Sequence, residues 1–254
     1  MSQPLSPALR ALMSRVIDYA GTFPPARLPC TAAVDNYGRY RRGEQAWMLR
    51  WFVVSASDLD HVPPEYDGSL SVLAESDHPR ATAIESKRPF SCNKPVYCEV
   101  PVEQLDAVQT MGCYAKLRTG GLQPDAIPPV GVVADFLRAC ARRRLAFKAT
   151  AGLHHPVRAK YALTYAADSP RAVMHGFLNV FLAAAFVWHG KNAIEPILEE
   201  TDPAAFRFDE CAHWRDWSLE AAQIADARRH FAQAFGSCSF EEPVHDLQSL
   251  GLLP

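Results

Sequence analysis

The chain lacks most of the features that would place a sequence at once. Its seven cysteines, Cys30, Cys92, Cys98, Cys113, Cys140, Cys211 and Cys238, contain no C-x-x-C pair, so a zinc ribbon and a thioredoxin-like redox motif are both excluded. An odd, scattered set reads as reduced thiols buried as small apolar residues. No long run of one charge occurs. With 26 basic and 28 acidic residues the formal charge is −2, which offers nothing to nucleic acid or to an anionic membrane. The longest apolar run, around Phe177 to Trp188, is broken by Asn179 and falls short of the ~20 residues of a spanning helix. The first residues show no charged-then-apolar leader pattern. Also missing are H-x-H and H-E-x-x-H spacings, low-complexity segments and repeats of roughly 20–50 residues. The expectation is a soluble, cytoplasmic protein that engages neither nucleic acid nor membrane.

What is present is enough apolar residue for a full core. The 254 residues are 48% apolar, and the length matches the roughly 250 residues of a (β/α)8 barrel. Leu9, Leu12, Met13 and Val16 fall at helical spacing, so a helix is expected from about Ser6, followed by a strand-like Ile17-Asp-Tyr19. The spacing then predicts helices over 31–40, 79–86, 102–109 and 132–144, with strands over 47–55, 70–75 and 95–100 and in the apolar runs before Lys116 and Lys148. Further on, an almost wholly apolar helix over 173–188 and helical patterns over 193–199 and 219–231 flank a strand candidate at Ala205–Phe208. Ala234–Phe240 reads as the last strand, and Pro243 to Leu250 as a closing helix. The fold class expected is α/β: a single TIM-barrel-like (β/α)8 domain over residues 1–254, with an enlarged helical insertion after the sixth strand, from His154 to about Arg207.

Two stretches nearly repeat each other: Cys113-Tyr-Ala-Lys116-Leu-Arg-Thr-Gly120 and Leu145-Ala-Phe-Lys148-Ala-Thr-Ala-Gly152. Each delivers a lysine at the end of a short apolar run, with glycine four residues on. The proline-rich turn Ile127-Pro-Pro and an amphipathic helix lie between them, which makes one βαβ unit. That unit sets two ammonium groups side by side at the carboxyl ends of neighbouring parallel strands, where barrels put their chemistry. A lysine is nucleophilic when burial or a second cation lowers its pKa. Lys148, Thr150 and Gly152 share one strand face, whereas Phe147, Ala149 and Ala151 take the other.

These residues resemble the class I deoxyribose-phosphate aldolase group of barrels. The resemblance matches Lys116, Thr119 and Gly120 to the Lys-Thr-x-Thr-Gly strand of the Schiff-base lysine, and Lys148, Thr150 and Gly152 to the strand of a second lysine. Gly236-Ser237-Cys238-Ser239 matches a terminal phosphate loop. It implies that Lys116 forms an imine, that Lys148 tunes it, that Ser237 and Ser239 donate to an oxyanion or phosphate, and that an earlier-strand carboxylate, nearest in Glu99, assists proton transfer. The chain departs from the family at Gly152-Leu-His-His, where the family has paired glycines, and at Glu241-Glu242, which would repel a phosphate dianion.

Other residues fill out the candidate site. His154 and His155 follow the Lys148 strand at the catalytic rim, where adjacent side chains of an extended segment point to opposite sides. Arg118 shares a face with Lys116 and could hold a substrate carboxylate through its planar fork. Asp18 stands at a first strand end as an acid/base candidate. Phe23-Pro-Pro25 reads as packing and turn structure, and Cys238 has no assigned histidine partner that would make it a nucleophile. The leading expectation is a cofactor-independent lyase or isomerase acting on a small carbonyl compound. The alternative is a hydrolase or isomerase using a divalent metal such as Zn or Mn, held by His154, His155 and strand-end carboxylates (Asp18, Glu75, Glu99, Asp209), with His175, His189 and His213 as further candidate ligands. A third is a non-catalytic binding or scaffold barrel. A homo-oligomer is compatible with the chain, the apolar helix ending near Val187 serving either as core or as a contact.

Overall fold

Eight parallel strands, largely buried on both faces, pair in a ring and close into a barrel in this chain. The structure, a computed structural model, describes residues 5–254. In chain order the elements are α1 (Pro7–Met13), β1 (Ile17–Tyr19), α2 (Cys30–Tyr40), β2 (Leu49–Ser55), β3 (Leu70–Leu73), β4 (Ala83–Ser86), β5 (Val96–Cys98), α3 (Leu105–Thr110), β6 (Tyr114–Arg118), α4 (Val130–Arg142) and β7 (Phe147–Thr150). After these come the hairpin strands β8 (Ala159–Ala162) and β9 (Arg171–Met174), then α5 (Phe177–Trp188) and α6 (Glu195–Glu199). A small sheet follows, of β10 (Phe206–Phe208), β11 (Cys211–Trp214) and β12 (Trp217–Glu220). The chain ends with α7 (Ala221–His230), β13 (Ala232–Ser237) and α8 (Glu241–Ser249). The barrel runs β1-β13-β7-β6-β5-β4-β3-β2 and closes back on β1.

The expected TIM-barrel-like architecture is therefore present, with two corrections to its strand count. Residues 79–86, expected as helix, contain strand β4. Its Ala and Glu favour helix locally, but all four residues are buried in the barrel wall and Glu85 points at buried lysines rather than at water, so tertiary context overrides propensity. Ala205–Phe208, expected as a barrel strand, instead supplies β10 to an antiparallel sheet outside the barrel. The large insertion does follow the Lys148 strand, but that strand is the seventh of the barrel and not the sixth. The connections from β3 to β4 and from β4 to β5 carry no helix.

Helix α5 belongs to the core of this chain. Phe177 to Val187 are all buried, Phe177 stacks on Phe235 with centroids 5.2 Å apart, and Phe181 meets Phe147 and Phe235. Asn179, its one interior amide, accepts from the Arg158 amide (2.9 Å) and donates to the carbonyls of Ile197 (2.7 Å) and Glu200 (2.8 Å). The helix is thus a covering layer of the barrel, and the reading of it as an oligomer contact falls away. At the amino-terminal end of the barrel, buried Arg228 donates to the carbonyls of Leu12 (2.7 Å), Ser14 (3.0 Å), Gln233 (2.6 Å) and Ala232, tying α7 to the segments around β1 and β13. No helix among the described residues is long and apolar enough to cross a membrane.

Candidate active site

Strands β6 and β7 pair in parallel with Lys116 directly opposite Lys148, so the two near-repeats of the sequence lie side by side. The glycine that ends each of them has a steric reason. A Cβ on Gly120 would come within 3.1 Å of the Gly152 Cα, and one on Gly152 within 3.0 Å of the Gly120 Cα. Gly152 also has φ +79°, which disfavours other side chains. Thr119 stitches the same crossing through its hydroxyl, which donates to the carbonyls of Ala151 and Thr150. These contacts hold the two strand ends, and so the two lysines, in fixed register.

Inside the barrel the charges alternate in sign. Lys148, with no exposed surface, donates to Asp18 Oδ2 at 2.5 Å and to Glu85 Oε1 at 2.6 Å. The other oxygen of Glu85 lies 2.9 Å from Lys116 Nζ, and Glu99 Oε2 lies 3.3 Å from the same nitrogen. Arg118 grips Glu99 with Nε at 2.7 Å and a second nitrogen at 3.3 Å. Ser71 donates to Glu85 (2.8 Å), and the Trp51 amide to Asp18 (3.2 Å). Arg50 sits 3.9 Å from Asp18 and donates to the Tyr97 hydroxyl (2.9 Å), which donates in turn to Gln233.

Burial and charge pull against each other at each position. Burial alone would push the Glu85 carboxyl up, but the ammonium groups of Lys116 and Lys148 outweigh it and hold the carboxyl below its ordinary range. Burial would likewise depress Lys148, yet Asp18 and Glu85 win and keep it protonated. Glu99 is also lowered, its partial burial overcome by Arg118 and Lys116. Lys148 is therefore a fixed cation, and it does not border the cavity at the carboxyl ends of the strands.

Lys116 does. It lies with Glu85 on the floor of a cavity of about 540 Å³ at the carboxyl ends of the strands. Phe23, Pro24 and Pro25 form part of its wall rather than serving only as turn structure, and the β8–β9 hairpin roofs it with Tyr161, Leu163, Tyr165 and Met174. Of the other expected residues, Arg118, Thr150, His154 and His155 border this cavity, whereas Asp18, Glu99, Ser237 and Ser239 do not. Asp18 acts below the floor, on Lys148. The Ser237 hydroxyl meets His154 Nδ1 at 3.2 Å, and the Ser239 hydroxyl accepts from the Glu242 amide at 3.1 Å, capping the first turn of α8.

The two histidines take different partners. His154 Nδ1 lies 3.1 Å from Glu242 Oε2. A carboxylate there accepts from Nδ1–H, and in the neutral ring that tautomer leaves the lone pair on Nε2. Partial burial works against ionisation of Glu242, but His154 prevails and lowers it. His155 Nδ1 lies 2.6 Å from Asp246 Oδ2, and its ring stacks at 3.6 Å on Tyr161 of the hairpin, pinning the roof to α8. Cys238 borders the cavity with its thiol 3.5 Å from the Tyr165 hydroxyl. Burial pushes that thiol up, away from nucleophilic thiolate.

Family models, curated sequences and solved structures return no match for this chain. What the site can do is therefore argued from its geometry. The expected metal ligands do not converge at the barrel mouth, since His154 and His155 each face a separate carboxylate of α8. Among the described residues, one grouping has the closeness of a metal site: Asp209, Cys211 and His213, on β11 and the turn before it, outside the barrel.

Sequence reasoning missed Glu85 and Glu242. Glu85 sat in a segment read as helix, and only the need of two buried lysines for a shared anion could have pointed to it. Glu242 was marked as repelling phosphate, without its bond to His154.

Proposed function

We propose that this protein is a lyase or isomerase that acts on a carbonyl compound through a Schiff base on Lys116. The observation that carries the reading is a cavity-facing lysine whose carboxylate, Glu85, is shared with a second, wholly buried and protonated lysine. A structural ion pair needs one cation for one anion, and it does not need a cavity of 540 Å³ above it.

The chemistry balances in charge at this spot. One ammonium proton passes to the carbonyl oxygen and frees the lone pair that forms the C–N bond; a second follows it as the C–O bond breaks, so that ammonium and carbonyl become a protonated imine and one water. One positive charge stands between Glu85 and Glu99 before and after the step, so neither carboxylate has to change its ionisation. This fits the lowered pKa of both. Lys148 keeps Glu85 anionic and in place without touching substrate, which makes it a positioning residue. The protonated imine draws electrons from the adjacent carbon, and Nε2 of His154 is the base that takes the α-proton, giving an enamine. The enamine either accepts a proton at a new position, as in isomerisation, or forms from cleavage of the next C–C bond, as in a lyase. Water then releases Lys116.

Borohydride reduction in the presence of small aldehydes and keto acids tests the reading. The expected result is one reduced adduct per chain, mapped by peptide mass spectrometry to Lys116. Adducts spread over surface lysines, with Lys116 unmodified, would remove it. His154→Gln is expected to leave the Lys116 adduct intact and to slow α-proton exchange of the bound compound by about 10²-fold, the usual weight of a general base. An unchanged exchange rate would take the base role away from His154.

A further inference from the structure

The cavity also says what kind of carbonyl compound it suits, granted the role of Lys116 above. We infer that the substrate is unphosphorylated and carries an extended apolar body, an aliphatic or aromatic aldehyde or ketone rather than a sugar phosphate. Three observations converge on this.

The first is size. At roughly 30 Å³ per water-sized group, a cavity of 540 Å³ has room for on the order of 18 non-hydrogen atoms, well beyond a three- to five-carbon compound. The second is the wall. Above the Lys116 floor the larger part of the surface is apolar, with Phe23, Pro25, Leu122, Leu163, Met174 and the ring of Tyr161, and polar groups such as Thr164, Arg171 and Glu242 take the rest. Apolar area of this kind gains about 25 cal/mol per Å² by covering apolar ligand surface and nothing by covering hydroxyls.

The third is the treatment of anions. A barrel holds a phosphate at the helix amino terminus that follows its last strand. In this chain that terminus begins α8, and its first turn presents Glu242, whose carboxylate borders the cavity and is already paired with His154. A phosphate dianion placed there meets a like charge. The cations nearby already carry carboxylate partners: Lys116 has Glu85 and Glu99, and Arg118 has Glu99, held through Nε and one of its two terminal nitrogens. Arg171 remains, on the outer strand of the roof, exposed and donating to the Lys160 carbonyl. Of the two arginines at the rim, Arg171 alone is not already balanced by a carboxylate, and one uncompensated cation does not offset Glu242 for a doubly charged group.

The test is a concentration series of borohydride trapping on the full chain, read at the Lys116 peptide. Phenylacetaldehyde and hexanal are compared with glyceraldehyde and glyceraldehyde 3-phosphate. In parallel, 2-phenylethanol and hexanol, which form no imine, are titrated and followed by thermal shift. The expected result is half-maximal modification of Lys116 at a concentration at least tenfold lower for the apolar aldehydes, with the phosphate ester the poorest, and an upward thermal shift with the alcohols. Equal or better trapping of glyceraldehyde or its phosphate overturns the inference while leaving the imine intact. Alcohols that bind while no aldehyde modifies Lys116 overturn the imine and leave the apolar pocket standing.

Discussion

Replacing Lys116 with methionine is expected to abolish the reducible adduct and to slow α-proton exchange of a bound ketone by at least about 10³-fold, the scale seen when a covalent nucleophile is removed. Methionine keeps the length of the lysine stem and removes the amine. The fold should survive, because Glu85 still has Lys148 at 2.6 Å and the Ser71 hydroxyl at 2.8 Å, and Glu99 still has Arg118. Lys116→Arg separates charge from nucleophilicity: it restores a cation between the two carboxylates, yet a guanidinium forms no imine under these conditions. It should match the methionine variant in chemistry and the parent in stability. Adduct or exchange near the parent level in either variant would refute a nucleophilic Lys116.

Lys148→Met is expected to act on stability first. It takes from Asp18 its closest cation, at 2.5 Å, and from Glu85 one of the two it binds, at 2.6 Å, and removing one partner of a buried pair costs roughly 3–5 kcal/mol. That is a large part of the 5–15 kcal/mol typical of a folded domain. The pH dependence carries the signature. Glu85 is held below its ordinary 4.5, so its stabilising contribution is in place above pH 4.5 and fades as pH falls further. Lys148 is held above its ordinary 10.5, so its contribution is complete below pH 10.5 and fades as pH rises past it. The deficit of the variant should therefore be full at pH 7 and shrink below about pH 4.5 as Glu85 takes a proton. Denaturation midpoints at pH 4 and pH 7 measure this. A loss under about 1 kcal/mol at pH 7, or no difference between the two pH values, would show that Lys148 does not hold the two carboxylates.

The barrel and its paired lysines were legible because both left local marks. Lysines inside apolar strands, each followed by glycine, are rarely neutral choices, and the crossing of Gly120 over Gly152 explains the spacing. The partners of those lysines left no such mark. Glu85 lies in a strand without alternation, since a barrel wall buries both faces, and Ala83 and Glu85 have good helix propensity. Glu99 looked the better carboxylate because it ends an evident strand, and it does contact Lys116, but Glu85 bridges both lysines. The roof was hidden for a different reason. The hairpin of Ala159–Ala162 and Arg171–Met174 is short and largely exposed, and its order comes from contacts such as the Tyr161–His155 stack, made with residues beyond its own segment.

The alternating charges of the interior also bear on how this sequence can drift. Asp18, Glu85 and Lys148 each neutralise a neighbour that water cannot reach, so a change at any one of them takes a close partner from a buried charge. Drift one residue at a time is costly for this trio, and the less costly route is joint replacement by apolar residues. A descendant that gave up its reaction would therefore shed the three together and fill the barrel with hydrocarbon. One that kept all three while varying the wall of Phe23, Leu122 and Met174 would be exchanging one substrate for another.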